Sequence, residues 1–140
     1  MAVKTYSPKK VVVIWGGQPL TGYVDGSFVK VAQAGDAFTK YVGADGEVSR
    51  VASADETGQI SVTLKQTSAA NDYLSAEHRT DRRLLTGGKP LIVEDTSGRT
   101  LHSTAEAWLI KMPDDEKGKE INGIEWVFDT DKLDSFIGGN

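Results

Sequence analysis

The chain has 140 residues, sixteen basic and twenty acidic, with 39% hydrophobic and 26% charged side chains. This composition fits one globular domain over residues 1–140 that buries roughly two thirds of its unfolded surface, and excludes a disordered or membrane-embedded chain. The absence of cysteine removes disulfides, thiolate zinc sites and thiol nucleophiles.

The net charge of −4 is unevenly placed: residues 1–70 hold seven basic and six acidic residues, residues 71–140 nine and fourteen. A protein that grips phosphates shows the opposite sign in a patch. The nearest approach is Arg79, Arg82 and Arg83, interleaved with Asp81, which reads as a solvated helix face or a subunit contact. There is no run of ~18 apolar residues and no signal-peptide pattern, so the expected place of synthesis is the cytosol.

In chain order, residues 1–8 form a short flexible arm, and Pro8 precedes the strand Val11–Trp15, apolar on both faces and therefore buried on both. Gly16-Gly17-Gln18-Pro19 is a turn and Leu20–Val24 a short strand. Asp25-Gly26 is a strong hairpin signal, across which Phe28–Gln33 pairs back. The segment Ala34–Gly46, bounded by glycines, reads as a loop carrying Phe38 and Tyr41, two aromatics suited to anchoring a neighbouring subunit.

The stretch Asp45–Gln66 predicts a long β-hairpin. In its second arm Ile60, Val62 and Leu64 alternate with Gln59, Ser61, Thr63 and Lys65, which places the apolar side chains on one face. Its first arm carries Glu47 and Ser49 on the wet side, and Ala54-Asp55-Glu56-Thr57-Gly58 supplies the turn. Such a polar face lines or coats something and performs no bond chemistry.

Ser68 is the expected N-cap of a helix from about Ala69 to Leu85, ending at Gly87-Gly88, that lies across a sheet. Strands follow at Leu91–Asp95, at Thr100–Lys111 with Trp108, and at Ile124–Phe128. Trp15, Trp108 and Trp126 are the expected core, and residues 134–140 a flexible tail.

Candidate chemistry is sparse. His78 and His102 are far apart in sequence and read as surface or sheet-edge residues. The charged loop Met112–Glu120 contains Asp114, Asp115 and Glu116, but consecutive acids in a loop match no calcium-loop spacing. No nucleophile–base pair or phosphate loop is present, and what is left for an enzyme is a carboxylate pair such as Glu94 and Glu106 brought together by folding. No cofactor or metal is expected.

Several segments resemble the small tail tube proteins of long contractile-tailed phages: Tyr6-Ser7-Pro8-Lys9-Lys10-Val11, Gly26–Val31, Asp36–Lys40 running into Val42–Val48, and Leu64–Ser68 followed by Asn71-Asp72. The likeness continues through Ala105–Trp108 and Glu125–Val127 to Phe136–Asn140, and is weakest over Glu77–Gly88. It implies a mainly β protein, a β-sandwich or open barrel with one flanking helix. Hexameric rings would close their inner strands into a ring-wide barrel and stack into a tube inside a contractile sheath.

On that reading Glu47, Ser49, Gln59, Ser61 and Thr63 face the channel. Phe38, Tyr41 and the loop residues Asp114, Asp115, Glu116, Lys117 and Lys119 make subunit or ring contacts. Partners are further copies of the chain, sheath, baseplate and tail terminator, with non-sticky passage of DNA, no membrane anchor, and a place in the virion after assembly in the host cytoplasm. The alternatives are a tube subunit of a contractile bacteriocin or type VI secretion device, and a small β-sandwich ligand-binding module whose tryptophans are exposed.

Overall fold

A computed structural model describes residues 3–139. Among the described residues the strands are β1 (Val11–Trp15), β2 (Gln18–Leu20), β3 (Val29–Gln33), β4 (Phe38–Val42), β5 (Val48–Ala52), β6 (Gly58–Lys65), β7 (Lys89–Asp95), β8 (Leu101–Leu109), β9 (Gly123–Thr130) and β10 (Leu133–Phe136). One helix, α1 (Ala70–Leu84), and a 3-10 turn at Pro8–Lys10 complete the secondary structure. The expected mainly β protein with one flanking helix is what the chain forms.

Eight strands make one antiparallel sheet in the order β2-β1-β7-β8-β9-β6-β3, with β10 on the same edge of β8 as β9. The sheet curls because β8 serves two partners along that edge: Leu109 opposes Phe128 of β9, and Thr104 opposes Leu133 of β10. Between them β8 carries an extra residue, for Lys89 opposes Ala107 whereas Leu91 opposes Thr104. This bulge at Ala105-Glu106 bends the strand, and the Glu106 carbonyl accepts the Asp131 N–H at 2.9 Å, where the chain passes from β9 to β10.

Inside the curl, Val13, Ile60, Val62, Leu64, Leu91 and Phe128 are fully buried. Trp15 meets Phe128 edge-on at 5.1 Å and donates its Nε1 hydrogen to the Ala107 carbonyl at 3.0 Å. Helix α1 covers one end of this core with Leu74, and is tied to it by polar groups. Trp126 Nε1 donates to Asn71 Oδ1 at 2.9 Å, the Tyr73 hydroxyl donates to the Trp15 carbonyl at 3.1 Å, and Lys89 pairs with Glu77. The Glu77 carboxylate raises the Lys89 pKa, as an anion beside an ammonium must.

The structure corrects several expectations. The arm Glu47–Ser53 does not pair with Gln59–Gln66: β5 pairs with β4 and β6 with β3 and β9, so no Asp45–Gln66 hairpin exists. The reason is turn chemistry. Gly46 adopts φ +89°, Asp45 accepts the Glu47 N–H through its side chain at 3.0 Å, and Gly43 N–H donates to the Glu47 carbonyl at 2.8 Å. These contacts close a tight turn between β4 and β5 and make a strand of the expected loop Ala34–Gly46.

Residues 53–57 instead form a crossover around Asp55, which accepts the Thr57 hydroxyl at 2.6 Å and its N–H at 3.0 Å. These bonds hold the carboxyl below its ordinary pKa, the hydroxyl contributing most. Asp25-Gly26 closes no hairpin either. The chain on both sides of it bonds to one edge of β6, with Val24 N–H to the Thr63 carbonyl and Thr63 N–H to the Phe28 carbonyl.

The tight hairpin lies earlier, at Gly16-Gly17, whose φ values of 59° and 81° permit a two-residue turn between β1 and β2. Accordingly β2 begins at Gln18, before the expected Leu20 start. Helix α1 stops at a left-handed Leu85, φ 53°, two residues short of the glycines. Ser68 contributes as expected by accepting the Ala70 N–H, although the capping position falls on Ala69. Residues 134–136 are strand, not tail, and Gly138 N–H is bound by Thr100 Oγ1; Met1, Ala2 and Asn140 of the expected flexible ends lie outside the described residues.

Candidate functional site

Two surfaces dominate. The first is the outward face of β3, β6 and β9. On β6 the inward Ile60, Val62 and Leu64 are 0% exposed, while Gln59 is exposed and Ser61 and Thr63 half-buried among their neighbours. The register sets Lys30 beside Ser61, Glu125 beside Thr63 and Asp129 beside Gln59, whose amide nitrogen donates to the Asp129 carboxylate at 3.0 Å. Three of the five predicted channel residues thus share one hydroxyl- and amide-rich face.

The other two, Glu47 and Ser49, lie on a different element. Strands β4 and β5 form a separate two-stranded ribbon in which every residue is exposed. Its register divides it into two faces, because cross-strand partners point the same way. Phe38, Lys40 and Val42 oppose Ala52, Arg50 and Val48 on one face; Thr39 and Tyr41 oppose Val51 and Ser49 on the other. The predicted anchors Phe38 and Tyr41 are 53% and 69% exposed, and they point to opposite faces.

Sequence reasoning missed Lys40 and Arg50. They oppose each other across the ribbon, like charges in the arrangement that destabilises a strand pair, and the Arg50 guanidinium lies over the Phe38 ring at 4.2 Å. The available signal was mirror symmetry about Asp45-Gly46, with β-branched and basic residues at matched distances on both sides.

At the far end of β9, the loop holding Asp114, Asp115, Glu116, Lys117 and Lys119 is exposed. With Glu125 and Val127 it lines a groove of about 350 Å3. Asp115 pairs with Lys117 at 2.5 Å, and Asn122 Nδ2 donates to the Glu116 carbonyl at 2.9 Å.

Trp108 departs from the expected core at 36% exposed, whereas Trp15 and Trp126 are buried at 4% and 2%. It borders a cleft of about 500 Å3 with Gln33, Gln59 and Asp129. Both histidines are buried at 8%, correcting the surface reading. His102 Nδ1 lies 2.7 Å from Ser135 Oγ, while His78 Nδ1 has no partner among the described residues. Burial lowers the His102 pKa by penalising the charged ring.

Glu94 opposes Leu101 and Glu106 sits in the bulge near Leu91, so these two carboxylates lie well apart along β7. Among the described residues no group of three or more metal-type ligands converges. Among the described residues no helix is long and apolar enough to cross a membrane.

Comparison with known proteins places these surfaces in context. Structural protein ORF10 of Pseudomonas phage KPP10 is 33% identical over 144 residues, an alignment covering 97% of this chain and 83% of that protein. Among solved structures, the sheath/tube terminator of the extracellular contractile injection system PVC superposes with a TM-score of 0.63 at 9% identity, covering 98% of this chain and all of the other. The anti-feeding prophage tube-terminating cap gives 0.63 at 13% identity over 97% of this chain and 94% of that one. A chain of the PVC sheath–tube complex gives 0.58 at 11% identity, over 94% and 91%. At such identities the likeness is one of fold. Residues 18–138 match the family described as Bacteriophage PhiTE tail tube protein, and with nearly the whole chain inside that match, the protein belongs to this family of phage tail tube proteins.

Proposed function

We propose that the chain is the repeating subunit of the tail's inner tube, closing into hexameric rings that stack inside a contractile sheath as a passive conduit for DNA. The observation that carries the reading is the β4–β5 ribbon, five residues per strand with no residue buried. An isolated two-stranded ribbon is marginal in water and gains lasting order by packing on something else. A tube subunit supplies that surface through its neighbours. The outer strands β2 and β3 are likewise edges that assembly would cover or pair.

In this arrangement Gln59, Ser61 and Thr63 line the channel with Asp129, and Glu47 and Ser49 of the ribbon extend the same wall. Hydroxyls, amides and carboxylates outnumber the bases Lys30 and Lys65 on this face, and DNA slides past it because each phosphate gripped by Lys or Arg would add affinity and friction. The protein makes and breaks no covalent bonds. It meets sheath along its outside, baseplate and terminator at the tube's ends, and its assembly takes place in the host cytoplasm.

Negative-stain electron microscopy over a concentration series, with and without the cognate baseplate, tests the reading. Rings or hollow tubes are expected. A species that stays monomeric at every concentration, even with the baseplate to initiate growth, would overturn it.

A further inference from the structure

The basic face of the ribbon and the groove by β9 are separate surfaces of the subunit. The ribbon leaves the sheet at the Gly58 end of β6, where Ala34 N–H donates to the Thr57 carbonyl at 3.0 Å. The groove runs along β9 from Val127, which opposes Ser61, past Glu125, which opposes Thr63, to Gly123, which opposes Lys65 at the other end of β6. Among the described residues no hydrogen bond or ion pair joins β4 or β5 to the groove residues, so the ribbon face is not seated in its own subunit's groove. Copies joined through these two surfaces stand head to tail, the kind of contact that builds rings or open-ended stacks.

The two surfaces are complementary in charge. The ribbon face presents Lys40 and Arg50 between the apolar pairs Phe38/Ala52 and Val42/Val48. The groove presents Asp114, Glu116 and Glu125 beside Pro113 and Val127; Lys111 also lines it, so three acids against one base leave a charge of −2 to meet +2. None of these charged side chains makes an ion pair among the described residues.

We propose that the Phe38–Lys40–Val42/Val48–Arg50 face of each subunit docks in the Asp114–Glu116–Glu125 groove of a second copy, which neutralises the Lys40/Arg50 repulsion that burdens the free ribbon. The contact rests on the inner-tube reading and names the partner surface within it. It turns the ribbon's two bases away from the channel and leaves Ser49 and Thr39 on the opposite side, so the wall gains length without gaining phosphate-binding charge. Phe38 and Val42 fill the apolar floor, and the charges set orientation and reject misaligned partners.

Two charge-reversal variants test it: K40E/R50E, which makes ribbon and groove both acidic, and D114K/E116K/E125K, which makes both basic. All five positions belong to an exposed strand pair, an exposed loop or a wet sheet face, and circular dichroism checks that each variant is folded. The wild type assembles under the conditions above; each variant alone needs at least about a tenfold higher concentration to do so. Mixed in equal amounts they co-assemble, since the acidic ribbon of one fits the basic groove of the other. Variants that assemble like the wild type, or a mixture that stays unassembled, overturn the contact while leaving the tube reading intact. A wild type that never assembles removes the tube reading and the contact with it.

Discussion

Strands β5 and β6 are separated by five residues and drawn from similar residue types, yet one is wholly exposed and the other buries every second side chain. β6 has a hydrogen-bonded neighbour on each edge and a helix-capped core beneath it; β5 has β4 alone. Both segments pair as strands, but β6 alone alternates apolar with polar side chains along its length, and the layer beneath it converts that alternation into stability. The sheet has its own second layer, and on the proposed reading the ribbon takes one from a neighbouring copy.

The core should break first. Phe128→Ala removes a fully buried ring that contacts Trp15 and should cost about 3–5 kcal/mol, read from urea denaturation of the unassembled subunit. A loss below about 1 kcal/mol would mean that the sheet is as loosely held as the ribbon.

A smaller effect should appear with acid. The buried His102 has a lowered pKa in the fold, so the unfolded chain takes up the proton first as pH falls past the ordinary value near 6.5. Stability is fully present above that pH and is lost as pH drops toward the folded value. Thermal unfolding should show a steeper decline between pH 7 and 5 for the wild type than for His102→Gln, since the uncharged amide removes this linkage. Equal slopes would mean that His102 titrates alike in both states.

The smallest effect belongs to the ribbon. Val48→Ser with Val51→Ser should change the unassembled subunit's stability by no more than about 0.5 kcal/mol, because both side chains are already more than half exposed. Tube formation by the same variant should weaken. If denaturation instead shows a core-sized loss, the ribbon packs on its own subunit in solution and the contrast with β6 disappears.

Much of the sheet was legible in the sequence. The alternation over Gln59–Lys65, the two-sided apolarity of Val11–Trp15 and the helix after Ser68 each rest on local period and turn chemistry, and each is where expected within a residue or two. Trp108 was misread for a physical reason. Regular alternation from His102 and Thr104 would place residue 108 inward, but the extra residue at Ala105-Glu106 shifts the phase, burying Ala107 and Leu109 and turning Trp108 out. The polar face of β6 was legible as a face, while the company it keeps was not. Pairing of β6 with β9 joins residues some 60 to 70 positions apart, and no local signal encodes that register. The ribbon was legible only in its Asp45-Gly46 turn, a signal outweighed by the stronger alternation downstream.

The pairing of β1 with β7 joins Val11 to Asp95 and Trp15 to Leu91, which governs how fast a subunit becomes usable. Loop-closure entropy over such a span must be overcome before its contacts contribute, which places the sheet among slow folders, on the millisecond-to-second scale. The ribbon closes through a local turn and can form and melt within microseconds. In the proposed tube, a newly made subunit would finish this slow step before docking and meet its neighbour with a ribbon that rearranges almost freely. Tube growth would then be set by encounter between subunits rather than by refolding at the growing end.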